Sequence, residues 1–152
     1  MSRLSEGTLQ RAIAFLAALG IGVAAYIAIA DANSGSPVCL GGGSGCETVA
    51  RSSWSHLAGV NIAVFGVIGY ALLLATAFFA DDLARFAGFA LALAGFGYSV
   101  FLTYVELFKI EATCQWCLAS AVLMTVLFAL CAARLIVFAG VPEAPEASPR
   151  RA

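Results

Sequence analysis

The sequence predicts an all-α membrane protein: a four-transmembrane-helix bundle whose outer loop carries a short interfacial helix. The first observation behind this prediction is composition. Hydrophobic residues make up 62% of the chain and charged residues 11%, whereas soluble domains carry roughly 25% charged residues. The mean hydropathy is +0.95. The second observation is pattern, because four apolar runs, each close to the roughly 20 residues that cross a bilayer, alternate with polar segments. Lipid must therefore cover most of the surface.

The first predicted span covers residues 12–30, after a short cytoplasmic N-terminus of residues 1–11. Its apolar run is longer than the roughly 7–15 residues of the apolar part of a secretion signal. We therefore expect it to stay in the mature protein as the first anchor.

The segment 31–58 is the predicted outer loop, because its composition changes abruptly to turn formers and glycine. The run Gly41–Gly45 is typical of a flexible tether. Residues 47–56 are predicted to form a short helix on the membrane surface, with Trp54 at the level of the lipid headgroups.

The remaining spans are predicted at 59–80, 86–107 and 114–139. Gly88 and Gly95 in the third span lie seven residues apart and share a helical face, which favours close packing of a neighbouring helix. A Pro-containing tail, 140–152, has no hydrophobic pattern and is predicted to be a disordered cytoplasmic segment.

Charge placement is the third observation, and it orients the bundle. With four spans both termini lie on one side, and six of the eight Lys and Arg residues then lie on that side: Arg3, Arg11, Arg85, Arg134, Arg150 and Arg151. The positive-inside rule makes that side cytoplasmic. The loops after the first and third spans then lie on the outer face of a bacterial cytoplasmic membrane, in an oxidising compartment where disulfides persist.

The motif Cys114-Gln115-Trp116-Cys117 opens the fourth run. If that run is a helix, both sulfurs lie in its first turn, where free N–H groups and the helix dipole stabilise a thiolate. Two thiols at this spacing close a short disulfide and so accept and release two electrons. The alternative interpretation is two small apolar residues at the mouth of a helix.

The topology adds a second pair, because Cys39 and Cys46 fall on the same outer face as Cys114 and Cys117. A pair on a mobile loop and a pair at a helix N-terminus favour an electron relay by thiol–disulfide exchange. At the lipid boundary the natural acceptor is a membrane quinone, held in an apolar pocket with one or two polar groups. The nearby polar candidates are Ser52, Asn61, Tyr98 and Tyr104.

Three features receive simpler interpretations. Cys131 lies 14 residues past Cys117, roughly 21 Å deeper at about 1.5 Å per residue, and is predicted to be a packing residue. Glu106 and Glu111 are expected to be solvated charges. The net charge of -1 gives no basic face for nucleic acid.

The chain resembles the bacterial branch of the vitamin K epoxide reductase family over about residues 12–139. The resemblance rests on the loop cysteines Cys39 and Cys46, on Ser52 six residues after the second of them, on Gly59…Phe65-Gly66 and on the C-x-x-C. It implies a four-helix bundle around a quinone that oxidises a thioredoxin-like protein, which in turn donates disulfides to secreted proteins. Ubiquinone and menaquinone both remain open.

The resemblance also implies residue roles. Cys114 and Cys117 would be the active-site pair, with Cys117 nearest the quinone. Cys46 would exchange with Cys114, and Cys39 would face the partner. The candidate quinone contacts are Ser52, Asn61, Phe65, Tyr98, Tyr104 and Trp116, the last an equally good membrane-boundary anchor.

The chain departs from the family pattern in three ways. Asn61 stands where bacterial members often have Pro. Ile62 and Ala121 stand where the animal enzymes have an Asn and a Tyr, which argues against reduction of vitamin K epoxide. The chain ends without the thioredoxin-like domain that many bacterial relatives carry, so the partner is expected to be a separate protein.

Other functions are compatible with the same cysteines. Four thiolates would suit a tetrahedral zinc ion, although the Cys39–Cys46 spacing exceeds the usual C-x₂₋₄-C. Structural disulfides in a non-enzymatic membrane protein, or a quinone or epoxide reductase with other thiol donors, are further alternatives. The quinone-linked disulfide-bond oxidases of other bacteria place their two cysteine pairs in the reverse order.

Overall fold

The computed structural model describes residues 6–33, 35–40, 42–57 and 59–138. This part of the chain forms five α-helices: α1 Glu6–Ala32, α2 Gly45–Ala50, α3 Ile62–Ala77, α4 Asp82–Val105 and α5 Gln115–Phe138. A 3₁₀ turn, Ser53–Ser55, follows α2, and a small antiparallel hairpin of β1 His56–Leu57 and β2 Val60–Asn61 precedes α3. One π-helical turn, Glu106–Ile110, extends α4. The predicted tail 140–152 lies outside the described residues.

Among the described residues, three helices are long and apolar enough to cross a membrane: Glu6–Ala32, Asp82–Ile110 and Gln115–Phe138. The fourth long helix, α3, is apolar but has 16 residues. At about 1.5 Å per residue it is roughly 24 Å long, shorter than the roughly 30 Å hydrocarbon core of a bilayer. The structure therefore confirms an all-α membrane protein, with three helices of spanning length and one shorter apolar helix.

Buried ion pairs fix one end of the bundle, opposite the cysteines. Glu6 at the start of α1 binds Arg85 at 2.9 Å and Arg134 at 3.3 Å, and both guanidinium groups are buried. Arg134 also donates to the Thr76 and Phe79 carbonyls at the end of α3. The end of α3 therefore meets the beginning of α1, and α3 runs between the same two ends of the bundle as the longer helices.

Local caps explain why the helices differ from the predicted spans. The Asn61 side chain accepts the Ala63 N–H at 2.7 Å, so α3 begins at Ile62 rather than at residue 59. The Asp81 carboxylate accepts the Ala84 N–H at 3.3 Å, so α4 begins four residues before the predicted span.

The loop helix is shorter than predicted. It covers Gly45–Ala50 instead of residues 47–56, because two serine hydroxyls bind the carbonyls that a continuing helix would use. Ser52 Oγ donates to the Val49 carbonyl at 2.7 Å, and Ser55 Oγ donates to the Ala50 carbonyl at 2.6 Å. The chain turns at these serines and enters the hairpin.

The core lies along the line where α1, α3, α4 and α5 meet. Glycine allows close approach there, as the sequence predicts: a Cβ on Gly95 would lie 2.8 Å from the Met124 sulfur, and one on Gly88 would lie 3.0 Å from the Thr76 hydroxyl. Cys131 is buried in this core, which confirms its prediction as a packing residue.

Candidate functional site

The loop cysteines form a disulfide, Cys39–Cys46, with 5.8 Å between their Cα atoms. The loop that carries them is docked onto the bundle through the backbone of Val38. Its N–H donates to the Tyr26 hydroxyl at 3.0 Å, and its carbonyl accepts the Trp116 indole N–H at 2.9 Å. Contacts with α1 and α5 therefore hold the disulfide over the bundle, although the glycine sequence alone predicts a freely moving tether.

The C-x-x-C pair lies where α5 begins. Cys114 immediately precedes the helix, and its carbonyl accepts the Leu118 N–H at 3.0 Å, which is the first helical bond. Cys117 lies in the first turn, and both residues are free thiols. The prediction that this motif opens a helix is confirmed, with Cys114 one position outside it.

The two cysteine pairs are in contact. Cys46 and Cys114 are each 1% exposed and pack together with Val49, while Cys39 and Cys117 lie against the same cluster. This contact requires the backbones of Gly45 and Thr113 to approach closely. Glycine allows the approach, because a Cβ at position 45 would collide with the Thr113 carbonyl oxygen. The loop disulfide thus lies directly against the free thiol pair.

The surroundings of Cys114 stabilise its thiolate. The neighbouring Cys117 thiol is the largest influence, and it lowers the pKa of Cys114 below the usual thiol value. The backbone N–H groups of Cys117 and Trp116 lower this pKa further, whereas burial and the Glu106 charge oppose the effect. Cys114 is therefore the better nucleophile that the helix N-terminus predicts.

Glu106 is not a solvated charge, and that prediction is wrong. It begins the π-helical turn, is 5% exposed, and its Oε2 accepts the Cys114 backbone N–H at 3.3 Å. Its carboxylate also lies close enough to the Cys117 thiol for the two groups to interact. Glu111 ends the turn in a left-handed conformation (φ 53°) and directs the chain back, which brings Cys114 to Glu106. Glu111 itself is exposed, as predicted.

A cavity of about 230 Å³ lies beside the cysteines and is lined by α1, α3, α4, α5 and the loop. Cys46, Cys114 and Cys117 are part of its wall. Most of the wall is apolar, and the polar or ionisable groups in it are Asp31, Ser52, Ser55, Asn61, Tyr70, Tyr98, Ser99, Thr103, Glu106 and Ser120.

Four predicted quinone contacts line this cavity: Ser52, Asn61, Phe65 and Tyr98. Two of these side chains also make hydrogen bonds to the nearby backbone. The Asn61 amide oxygen caps α3. The Ser52 hydroxyl donates a hydrogen bond to the Val49 carbonyl, which leaves the Ser52 oxygen as an acceptor.

The structure places the other two predicted contacts elsewhere. Tyr104 is 53% exposed and stacks on Phe108, because six residues of helix turn it roughly 240° away from Tyr98. Trp116 packs against Tyr26 and binds the Val38 carbonyl, so it anchors the loop instead of lining the cavity.

Sequence reasoning missed a polar pair in the wall. The Tyr70 hydroxyl is 2.9 Å from both the carbonyl and the hydroxyl oxygen of Ser120. The sequence signal that could have indicated this pair is the presence of a Tyr and a Ser inside two apolar runs. Ile62 and Ala121 also line the cavity, so the positions that are Asn and Tyr in the animal enzymes present apolar side chains here.

The cavity fits the head group of a quinone. Its volume is below the roughly 300–1,000 Å³ of pockets for drug-sized ligands, so it suits a one- or two-ring head group with the isoprenoid tail outside. A thiol in the wall and a mostly apolar lining match a flat, weakly polar electron acceptor. In the part of the chain that the structure describes, no three His, Cys, Asp or Glu side chains are arranged to hold a metal ion.

The model of the Vitamin K epoxide reductase family matches residues 11–132, which includes all four cysteines of the site and the whole cavity wall. No curated protein matches the chain.

Proposed function

Because the chain belongs to the vitamin K epoxide reductase family, a family of membrane oxidoreductases that generally use quinones, we propose that it is a thiol:quinone oxidoreductase that generates disulfides. Its electrons would come from a separate thioredoxin-like protein. They would pass through Cys39–Cys46 to Cys114–Cys117 and then to ubiquinone or menaquinone.

One observation carries this proposal: a disulfide, a free thiol pair and a cavity adjoin one another in that order. Cys46 packs on Cys114, and Cys117 lies in the cavity wall. Thiol–disulfide exchange needs direct contact between sulfurs, and transfer to a quinone needs a thiol at the head group. Both requirements are met by neighbouring residues of this chain.

Two thiol–disulfide exchanges would carry the electrons from the partner to the C-x-x-C pair. A partner thiolate attacks Cys39, its second thiol resolves the mixed disulfide, and Cys39 and Cys46 become thiols. Cys46 then attacks Cys114 of the Cys114–Cys117 disulfide, Cys39 attacks Cys46, and the loop disulfide re-forms while Cys114 and Cys117 become thiols. The structure has this last arrangement of bonds.

The dithiol then returns to the disulfide. Cys114 and Cys117 lose two electrons and two protons as their S–S bond forms. A bound quinone would supply the acceptor and leave as the hydroquinone. The mostly apolar wall suits the quinone ring, and Ser52 presents an acceptor oxygen suited to a hydroquinone hydroxyl.

The partner is proposed to dock where Cys39 reaches the surface. Val38 and Leu40 flank Cys39 and expose apolar side chains. Exposed apolar residues around a reactive sulfur suit a transient protein contact. Cys46, in contrast, is buried against Cys114 and is out of reach of a folded partner.

We further propose four crossings of a bacterial cytoplasmic membrane, with the cysteines on the outer face. The path of α3 between both ends of the bundle supports this topology despite its length. Reporter enzymes that are active only outside should work when fused near Gly43 or Lys109 and should fail near Asp82 or after Gly140. Opposite results at Gly43 and Lys109 would contradict the four-crossing topology and the relay with it.

The direct test of the proposed function uses the purified protein in detergent. With a reduced thioredoxin-like protein as donor, it should reduce a short-chain ubiquinone or menaquinone analogue, with one disulfide formed in the donor for each quinone consumed. Absence of quinone reduction with both this donor and dithiothreitol would contradict the proposal.

A further inference from the structure

One buried ionisable group beside the reacting sulfurs has no role in the electron relay. Glu106 accepts the Cys114 N–H at 3.3 Å, lies close to the Cys117 thiol and is part of the wall of the same cavity. A carboxylate is costly to bury next to thiols that must become thiolates, since like charges repel. Its place there calls for a role in proton transfer or for a role in positioning.

The movement of protons in the reaction favours a role of Glu106 in proton transfer. Oxidation of the dithiol breaks two S–H bonds, and the hydroquinone gains two O–H bonds, so two protons must cross from the sulfurs to the cavity. Cys117 lies against Cys114 and in the cavity wall, and Glu106 is the carboxylate next to it in that wall. A base beside the thiol and at the cavity wall is placed for general base catalysis.

Resting on the proposed function, we propose that Glu106 is the proton carrier of the quinone-reducing step. It takes the proton of Cys117 as that sulfur gives up its electrons, and it passes this proton to a quinone oxygen. The Cys114–Cys117 bond forms as two electrons reach the quinone, the proton lost by Cys114 forms the second O–H bond of the hydroquinone, and Glu106 ends the cycle as a carboxylate.

Few other ionisable groups of the described residues lie near Glu106. The groups that face it are Cys114 and Cys117, from the start of α5. Asp31, from the end of α1, and Tyr98, from α4, line the same cavity. Lys109, on the π-helical turn itself, is exposed.

The competing role is structural. Glu106 could serve only as the acceptor that holds the Cys114 N–H at the start of α5. Two substitutions separate the roles. Glu106→Gln keeps an acceptor oxygen at the native length but takes up no proton, whereas Glu106→Asp keeps a base that is one methylene shorter. A proton carrier predicts more activity in the Asp variant, and a positioning residue predicts more in the Gln variant.

The activity assay uses dithiothreitol as donor and the short-chain quinone analogues, so that no protein partner is involved. Glu106→Gln should reduce quinone about 100-fold more slowly than wild type, within the usual range for loss of a general base. Glu111→Gln is the matched control: it removes the same charge from an exposed position five residues away and should stay near the wild-type rate. Glu106→Gln activity equal to or above that of Glu106→Asp would overturn the proposal.

A second readout needs no quinone. With Cys39, Cys46 and Cys131 replaced by Ala and the protein reduced and desalted, alkylation by iodoacetamide reports only Cys114 and Cys117. Because the Glu106 charge raises the pKa of Cys114, Glu106→Gln should let alkylation persist to lower pH. More reactive thiols together with slower quinone reduction is the expected pair of results. Quinone reduction that rises with thiol reactivity would mean that Glu106 is only a repelling charge.

Melting temperatures of the variants in detergent show whether each variant is folded. If Glu106→Gln does not fold, Glu106→Asp is compared with wild type across pH. A shifted pH profile of quinone reduction is expected, because a different carboxyl group would then carry the proton, and a profile that coincides with that of wild type would overturn the proposal. Wild-type protein that fails to reduce quinone would contradict the proposed function instead, so the two failures are distinguishable.

Discussion

Replacement of either cysteine of the C-x-x-C motif should abolish quinone reduction. Cys114→Ala and Cys117→Ala should each lower the rate by about 100-fold or more, with dithiothreitol or with a protein donor, because a single thiol cannot form the two-electron disulfide. The measurement is quinone consumption by the purified variants.

Cys131→Ala is the control for this prediction. Cys131 is a buried cysteine of α5, but it lies in the core and away from the cavity. Its variant should keep a rate near that of wild type, apart from a modest loss of stability. Equal losses at all three positions would indicate damaged folding instead of a broken electron path.

The loop disulfide should matter for a protein donor and not for a small one. In a Cys39→Ala/Cys46→Ala variant, oxidation of the thioredoxin-like partner should fall by about 100-fold, since a folded donor cannot reach the buried Cys114 directly. Dithiothreitol is small enough to reach Cys114, and the rate with it should stay within about threefold of wild type. The two donors are compared on the same preparation with the same quinone.

Stability needs a separate check, because this variant also loses a cross-link between the start of α2 and the loop. The melting temperature in detergent and the rate with dithiothreitol serve as internal controls. Equal loss with both donors would contradict the shuttle and would make Cys39–Cys46 a structural clamp on the site.

Much of the fold could be predicted because the relevant signals are local in the chain. Apolar length marks the long helices, and the positions of Arg and Lys orient them. The C-x-x-C follows a polar segment and opens an apolar run, so its position at a helix N-terminus could be predicted. Even the inward packing of Gly88 and Gly95 follows from their spacing.

Rotation about the helix axis could not be predicted in the same way. A helix that is apolar on every side has no polar face to indicate which side meets its neighbours. Tyr98 and Tyr104 both looked like cavity residues, yet helical geometry allows only one of them to face inward. Trp116 likewise became the loop anchor because its indole reaches Val38.

Hydropathy and charge placement along the chain are enough to predict a membrane protein, a helical chain and two cysteine pairs at one end of the bundle. The packing of distant segments was needed to show that Cys46 rests on Cys114, that α3 has 16 residues and that Glu106 is buried beside Cys114. This difference arises because hydropathy and spacing act along the chain. The environment of a carboxylate or a thiol depends on which distant segments pack around it, and here the π-helical turn and the left-handed Glu111 bring those segments together.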